Sequence, residues 1–170
     1  MNKILTRDIK GAWNTDPPTP TDKINNVNCH KFVLYAIGRI SWEEMISDPE
    51  EQRVIGIDFT FGNKILSISD CEYKLIIDEE NLQKLANNCE IGKFYIGQVR
   101  DAQTEEMAHS FILKRESDSG YVCFDKPGFK YPFAVSDLAS IINFVNKDGE
   151  QSNKNQLWRF VPLDSVESDY

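Results

Sequence analysis

Apolar and polar positions follow two different periods along the chain, and the helical period comes first. After Asn28, apolar side chains recur at positions 29, 32, 33, 36, 37 and 40, which is the spacing of one face of a helix. Gly38 weakens this helix and marks a point where it can break. The same period, each time starting at a serine or aspartate that can cap a helix, predicts further helices over 41–48, 78–88 and 136–145.

A two-residue alternation, typical of strands with one buried face, occupies much of the remaining chain. Gly62-Asn63 predicts a tight hairpin turn between strands over 57–61 and 64–68. Further strands are predicted over 72–77, 93–100, 109–114, 121–125 and 157–162. Because the first helix precedes the strands, the order of the elements predicts the α+β class.

Length and composition predict a single folded domain. The 170 residues, 41% of them hydrophobic, suit one domain over 1–170 with a substantial core. Residues 14–23 are rich in proline, threonine and aspartate and cannot form a helix, so residues 1–24 are expected to be an N-terminal arm with a Pro-rich connector. Residues 163–170 are acidic and are expected to form a mobile tail.

The charge balance narrows the range of partners. Acidic residues outnumber basic ones by 27 to 19, which gives a net charge of −8. A phosphate backbone or an anionic membrane would be repelled, so binding to nucleic acid or to a lipid surface is disfavoured. No apolar run approaches the length of a membrane span, and the first residues lack the apolar core of a secretory signal.

The cysteines indicate a reducing compartment. The four cysteines, at 29, 71, 89 and 123, have no zinc-ribbon spacing and fit reduced thiols. The protein is therefore expected to be cytoplasmic, or to be secreted by a route that needs no signal peptide, for example as an injected effector.

Cys29 carries the clearest chemical signal in the chain. It follows an Asn-rich segment and lies in the first turn of the predicted helix, where open backbone N–H groups and the helix dipole stabilise negative charge. Such surroundings lower the pKa of a thiol and favour the nucleophilic thiolate. A cysteine on an apolar stripe is also a common core residue, so the functional interpretation depends on partners elsewhere in the chain.

His109 and Asp125 are the partners that the strand pattern offers. A symmetric turn centred on Ser117 would place His109 directly opposite Asp125, close enough for the carboxylate to orient the imidazole. Cys29, His109 and Asp125 would then be the nucleophile, the general base and acid, and the orienting group of a cysteine hydrolase. His30, the other histidine, points about 100° away from Cys29 around the helix, which is a poor geometry for a general base.

An enzyme of this kind also needs donors aimed at the negative charge that develops on the substrate oxygen. The Cys29 backbone N–H is one expected donor, and Asn26 is a candidate side-chain donor. Asn25 and Asn28 are possible donors as well, but Asn-rich turns commonly cap helices, and capping is the expected role of at least two of these three asparagines. The chemistry needs no metal or organic cofactor, and the cysteines and histidines offer no close pair of zinc ligands with suitable geometry.

Three segments carry a family resemblance. Asn28-Cys29 followed by Phe32-Val33 resembles the nucleophile helix of NlpC-type cell-wall peptidases, and 90–96 resembles the glycine-containing strand that precedes their histidine strand. The stretch from His109 to Asp125 is similar to the histidine-to-aspartate stretch of transglutaminase-like domains. Both groups belong to the papain-like cysteine peptidase superfamily. The resemblance implies an N-terminal nucleophile helix packed on an antiparallel sheet, a triad of Cys29, His109 and Asp125, and a protein or peptide substrate.

The reaction implied is hydrolysis or acyl transfer at an amide or thioester bond, by a peptidase, amidase or deamidase. Asn28 and His30 stand where NlpC-type enzymes usually carry an aspartate and a small residue, so a peptidoglycan substrate is not implied. Residues 28–33 also resemble the cysteine box of lecithin:retinol acyltransferase-like enzymes, but there the histidine precedes the cysteine, so a permuted chain would be required. The alternative from another class is a non-catalytic acidic module that binds a partner protein on the same scaffold.

Overall fold

An antiparallel sheet with helices on both faces forms the framework of the molecule. The computed structural model of the chain describes residues 27–37, 45, 59–61, 64–66, 72–103, 107–126, 134–148 and 156–163. The elements within these residues are, in chain order, α1 (Cys29–Ala36), β1 (Phe59–Phe61), β2 (Lys64–Leu66), β3 (Lys74–Ile76), α2 (Glu79–Ala86), β4 (Phe94–Asp101), β5 (Met107–Arg115), β6 (Tyr121–Asp125), β7 (Ala134–Ser136), α3 (Leu138–Asp148) and β8 (Gln156–Pro162).

The sheet is antiparallel throughout. Strands β3 to β8 form one six-stranded sheet in the order β3-β8-β4-β5-β6-β7, and each neighbouring pair is antiparallel. β1 and β2 form a separate hairpin in which Phe59 lies opposite Leu66. The α+β class predicted from the order of the elements is confirmed, and so is the pairing predicted around 62–63. β7 was not predicted, because a strand of three residues is too short to display an alternation.

Side-chain caps fix where the helices begin. Asn28 Oδ1 accepts a hydrogen bond from the backbone N–H three residues ahead at 2.9 Å, and Asp78 Oδ1 accepts the equivalent bond at 2.8 Å. Asp137, rather than Ser136, caps α3, since its Oδ1 accepts hydrogen bonds from both the backbone N–H and the hydroxyl of Ser140. Each cap satisfies a donor that the first helical turn leaves open.

Two apolar cores lie on opposite faces of the sheet. α1 packs on one face, where Phe32 joins Ile96 and Ile112. α2 and α3 cover the other face, whose core includes Leu82, Ala86, Phe111, Leu138, Ile141 and Trp158. Because successive strand residues point to opposite faces, neighbouring residues of β4 and β5 serve different cores.

The turn of the β5–β6 hairpin differs from the prediction. Arg115 pairs with Tyr121, so the turn is centred on Asp118 rather than on Ser117. The loop 116–120 is closed by a hydrogen bond from its first backbone N–H to its last carbonyl at 2.8 Å. β5 therefore continues one residue beyond the predicted end at position 114.

This turn shifts the register of the hairpin by two residues. Leu113 lies opposite Cys123, whereas the prediction set Leu113 opposite Tyr121 and His109 opposite Asp125. A shift of two residues keeps every side chain on its predicted face. His109 and Asp125 are consequently diagonal neighbours on the same face rather than directly opposed.

Several predicted features lie outside the described residues. They are the arm and connector over 1–24, Asn26, the helix over 41–48 apart from Met45, Cys71 and the last residues 164–170. The tail was expected to begin at position 163, but Leu163 is 1% exposed and belongs to the core beneath α1. Among the helices that the structure describes, none combines the length and the apolar character needed to cross a membrane.

Candidate active site

Cys29 is the first residue of α1, next to the capping Asn28. It is a free thiol, and 8% of its surface is exposed. The N–H groups of the first turn have no partner within the helix, and the positive end of the helix dipole lies here. The predicted placement of the cysteine at a helix N-terminus is confirmed, and this placement favours negative charge on the sulfur.

A β-bulge immediately before His109 sets the direction of its side chain. The register between β4 and β5 shifts just after the pair formed by Val99 and His109, and the shift skips Ala108. A bulge increases the local twist and redirects the side chain that follows it. The His109 ring is 1% exposed and stacks on Phe111, with centroids 6.0 Å apart and an interplanar angle of 20°.

Gly97 provides the space in which Phe111 lies. The two residues are paired between β4 and β5, and a Cβ atom at position 97 would overlap the Phe111 ring. Phe111 also makes edge contacts with Trp158 and Phe160, at centroid distances of 6.1 Å and 6.3 Å. The His109 ring therefore rests on a stack that is anchored in the core of the sheet.

Asp125, the last residue of β6, lies against the His109 imidazole. Its Oδ1 is 2.9 Å from His109 Nε2, and both side chains are almost completely buried. The oxygen lies away from the direction of the ring N–H, so the contact is an ion pair with a bent hydrogen-bond geometry. The predicted pairing of the two residues is thus present, although the register that brings them together is a different one.

Cys29 and His109 each favour the charged form of the other. Burial opposes ionisation of Cys29, but positive charge on His30 and His109 and hydrogen bonds from both imidazoles outweigh it, so the pKa of the thiol lies well below its usual value. Burial also opposes charge on His109, yet the Cys29 thiolate and the Asp125 carboxylate raise the pKa of the imidazole to about 10. These opposite shifts in pKa favour a thiolate–imidazolium pair.

His30 lies beside the sulfur as well, which the sequence did not predict. Its Nδ1 is 2.8 Å from Ser110 Oγ, a hydrogen bond between the first turn of α1 and the residue that follows His109. The sequence predicts that His30 points away from Cys29, but its charge and a hydrogen bond from its imidazole nevertheless act on the thiol. Both the charge of His30 and a hydrogen bond from its imidazole lower the pKa of Cys29, as do those of His109.

Lys126 brings a further basic group to the same region. It follows Asp125, its side chain is completely buried, and its charge interacts with both Asp125 and Cys29. Burial lowers the pKa of the ammonium group to about 8, although the two negative charges oppose this effect. The sulfur thus has electropositive surroundings in a protein whose net charge is −8.

The chemistry of Cys29 is not shared by Cys123. Burial raises the pKa of Cys123, and the negative charges of Asp125 and Asp137 raise it further. Cys123 therefore remains a neutral thiol and is a core residue. Cys89 is also buried, with 3% of its surface exposed.

A cleft of about 310 Å³ lies elsewhere, between α2, α3 and the β5–β6 turn, with Leu82, Tyr121 and Leu138 among its walls. His109 is at the opposite end of β5, and the strand between them rises by roughly 20 Å. The cleft is therefore separate from the site around Cys29.

The structure brings together Cys29, His109 and Asp125, the three residues that the sequence predicted, and adds His30 and Lys126. Asn26, the predicted side-chain donor for the substrate oxygen, lies outside the described residues. Among the described residues, no group of three or more His, Cys, Asp or Glu side chains could hold a metal ion. Comparison of the chain with protein-family models, with curated proteins and with solved structures finds no match.

Proposed function

We propose that this protein is a cysteine hydrolase or acyl-transfer enzyme that acts on an amide or thioester bond through Cys29, His109 and Asp125. The observation that carries the proposal is a thiol of lowered pKa at a helix N-terminus, beside an imidazole whose Nε2 is 2.9 Å from a buried carboxylate. A papain-like scaffold is part of the proposal. It is supported by a helix that carries Cys29 at its N-terminus and packs against an antiparallel sheet. Two consecutive strands of this sheet, β5 and β6, carry the histidine and the acid.

In the first half of the reaction the Cys29 thiolate attacks the carbonyl carbon and forms a tetrahedral oxyanion. The backbone N–H of Cys29, which has no partner within the helix, is available to donate to that oxygen. The His109 imidazolium then gives its proton to the leaving amine or thiol, the C–N or C–S bond breaks, and an acyl thioester remains on the sulfur.

In the second half, neutral His109 accepts a proton from water or from an acceptor amine while that nucleophile attacks the thioester. Collapse of the second tetrahedral species releases the acid or the new amide, and the thiolate–imidazolium pair is restored. Asp125 holds the imidazole by its Nε2 throughout, so that the other ring nitrogen is the one that exchanges protons.

Selective alkylation tests the proposal. The full chain is treated with chloroacetamide at mildly acidic and at neutral pH, and the modified cysteines are mapped by mass spectrometry. Cys29 is expected to react first and to remain reactive at mildly acidic pH, because its thiolate persists below the usual thiol pKa of about 8.5. The variant Cys29→Ala should lose this labelling, whereas the control Cys89→Ala should keep it.

The outcome also separates the enzyme from a binding module. If Cys29 reacts only near the ordinary thiol pKa, or more slowly than Cys89, the protein has no activated nucleophile and the proposal fails. A stable stoichiometric complex with a basic partner protein would then support the acidic interaction module. Turnover of peptide amides or acyl thioesters, lost in Cys29→Ala, would establish the enzyme.

A further inference from the structure

Two adjacent residues of α1 meet two adjacent residues of β5. Cys29 interacts with His109, and His30 Nδ1 is hydrogen-bonded to Ser110 Oγ at 2.8 Å. We propose that His30 is a positioning residue of the Cys29 site, which Ser110 orients, and that it stabilises the thiolate independently of His109. The role of His30 in catalysis rests on the proposed function, whereas its effect on the Cys29 thiol can be measured without a substrate.

The His30–Ser110 hydrogen bond is placed to control the geometry of the site. Ser110 is completely buried and His30 is 9% exposed, so water competes poorly for either partner. A buried hydrogen bond of this kind holds its two elements in one arrangement, because breaking it would leave polar groups unsatisfied. Since its partners are the chain neighbours of Cys29 and His109, the bond also fixes the approach of the sulfur to the imidazole.

The ring of His30 also acts on the sulfur directly. A positive charge on His30 and a hydrogen bond from its imidazole both lower the pKa of the Cys29 thiol, alongside the corresponding effects of His109. Among the described residues, the charged groups that also act on this pair include Lys126, which interacts with Cys29, and Asp125, which interacts with His109. Asp125 is negative and cannot take the place of His30, whereas Lys126 adds positive charge near the thiol independently of His30.

The two imidazoles that act on the Cys29 sulfur have different roles in the reaction. His109 must lose its proton to the leaving group and later regain one, so its support of the thiolate disappears during part of the cycle. His30 transfers no proton to the substrate and keeps its place beside the sulfur while His109 is neutral. A good leaving thiolate is therefore available in the second half of the reaction, when the acyl thioester is broken.

The test measures the Cys29 thiol pKa from the pH dependence of its alkylation rate in the full chain. His109→Gln is expected to leave that pKa below the ordinary value of about 8.5, because His30 remains. His30→Gln is expected to raise it, with roughly a tenfold or greater loss of alkylation rate on the acid side, since a hydrogen bond to a charged group is removed. The double variant should show the largest rise in the thiol pKa of the three variants, because burial still opposes ionisation of the thiol when both imidazoles are gone.

Turnover separates the two roles. His109→Gln should abolish turnover of an amide or thioester substrate, whereas His30→Gln should retain it once the pH exceeds the raised thiol pKa. Ser110→Ala should shift the thiol pKa in the same direction as His30→Gln, and Ser110→Thr, which keeps the hydroxyl, should restore it. A structural role alone would not give this pH-dependent recovery.

The proposal is overturned if His30→Gln, shown to be folded by circular dichroism, leaves the Cys29 pKa unchanged while His109→Gln raises it to the ordinary value. If His30→Gln does not fold, Ser110→Ala decides the matter, and an unchanged thiol pKa again overturns the proposal. An ordinary pKa for Cys29 in the unmodified protein is a different result. It would contradict the proposed function itself.

Discussion

His109 Nε2 lies 2.9 Å from Asp125 Oδ1 although the two residues are not opposite each other in the β5–β6 hairpin. They are diagonal neighbours on one face, a separation that long side chains can bridge. The bulge at Ala108 turns the histidine, and the end of β6 brings the carboxylate to meet it. Replacing this carboxylate with an amide therefore changes the charge at the imidazole without changing the shape of the contact.

We expect Asp125→Asn to lower the pKa of His109. In the native protein that pKa is raised to about 10, and the Asp125 carboxylate is one of the causes. The Cys29 thiolate still supports the imidazolium in the variant, so the value should fall below 10 while it stays above that of an ordinary histidine. An NMR titration of the ring protons measures the change, and Asp118→Asn, at an exposed carboxylate of the turn, is the control.

The same variant should change how stability depends on pH. A histidine whose pKa is raised on folding stabilises the native state fully below its unfolded pKa of about 6.5, and the effect is lost as the pH rises through its folded pKa. For the native protein this loss extends to about pH 10. In Asp125→Asn it should be complete at a lower pH, and thermal melts at a series of pH values would show it. Identical curves for the two proteins would contradict this assignment.

Alkylation of Cys123 is predicted to report global unfolding of the protein rather than the reactivity of the site. Burial raises its pKa, and two nearby carboxylates raise it further, so the native thiol is both covered and neutral. We expect no alkylation of Cys123 in the folded protein at neutral pH and rapid alkylation once denaturant unfolds the chain. Alkylation of Cys29, by contrast, should be fast in the folded protein. Labelling of Cys123 at a comparable rate without denaturant would show that the core between β5 and β6 opens locally.

Gly97→Ala tests whether the Phe111 stack supports the catalytic imidazole. An added Cβ atom would overlap the Phe111 ring, and overpacking of this kind costs about 1–3 kcal/mol of stability. Displacement of Phe111 should also move His109, which stacks on it, so the low thiol pKa of Cys29 should rise. The matched variant Gly97→Ala/Phe111→Leu removes the ring and should recover part of the lost stability, but not the thiol pKa. Full recovery of both would mean that the stack does not position His109.

The sequence predicted those parts of the site that depend on local interactions. Asn28, Asp78 and Asp137 cap helices through hydrogen bonds to residues three positions away, and such caps are visible in the chain itself. The placement of Cys29 followed from the first of them. His109 and Asp125 could be paired because an even shift in register leaves side chains on the same face.

The parts that were missed depend on contacts between distant segments. The bulge at Ala108 is a shift in the pairing of β5 with β4, so no pattern within β5 alone predicts it. His30 was set aside on helix geometry alone, and its bond to Ser110 spans 80 positions of the chain. Lys126 gave no signal, because a lysine after a strand is ordinarily exposed. The turn of the β5–β6 hairpin also depends on a distant segment, through Arg115.

Arg115 ties the hairpin turn to the end of α2. Its Nη1 donates to the carbonyl oxygens of Asn87 at 2.9 Å and Cys89 at 2.7 Å, while Nε donates to Ser117 O at 3.1 Å and Nη2 to Asp118 O at 3.1 Å. These four acceptors lie on two segments of the chain, and only the fork of a guanidinium reaches both. The position of the turn, and with it the register of β6, is therefore stabilised from outside the hairpin.

Arg115→Lys should lower the free energy of unfolding by about 1–3 kcal/mol, because an ammonium group keeps the charge but cannot serve both sets of carbonyl groups. Urea denaturation measures the change, with Lys84→Arg on the exposed side of α2 as the control for a charge-conserving substitution. The core between β5 and β6 should keep the remaining strand pairs in register. Cys29 should therefore retain its low thiol pKa in the folded variant. A thiol pKa raised to the ordinary value of about 8.5, together with unchanged stability, would show that Arg115 governs the site instead of the fold.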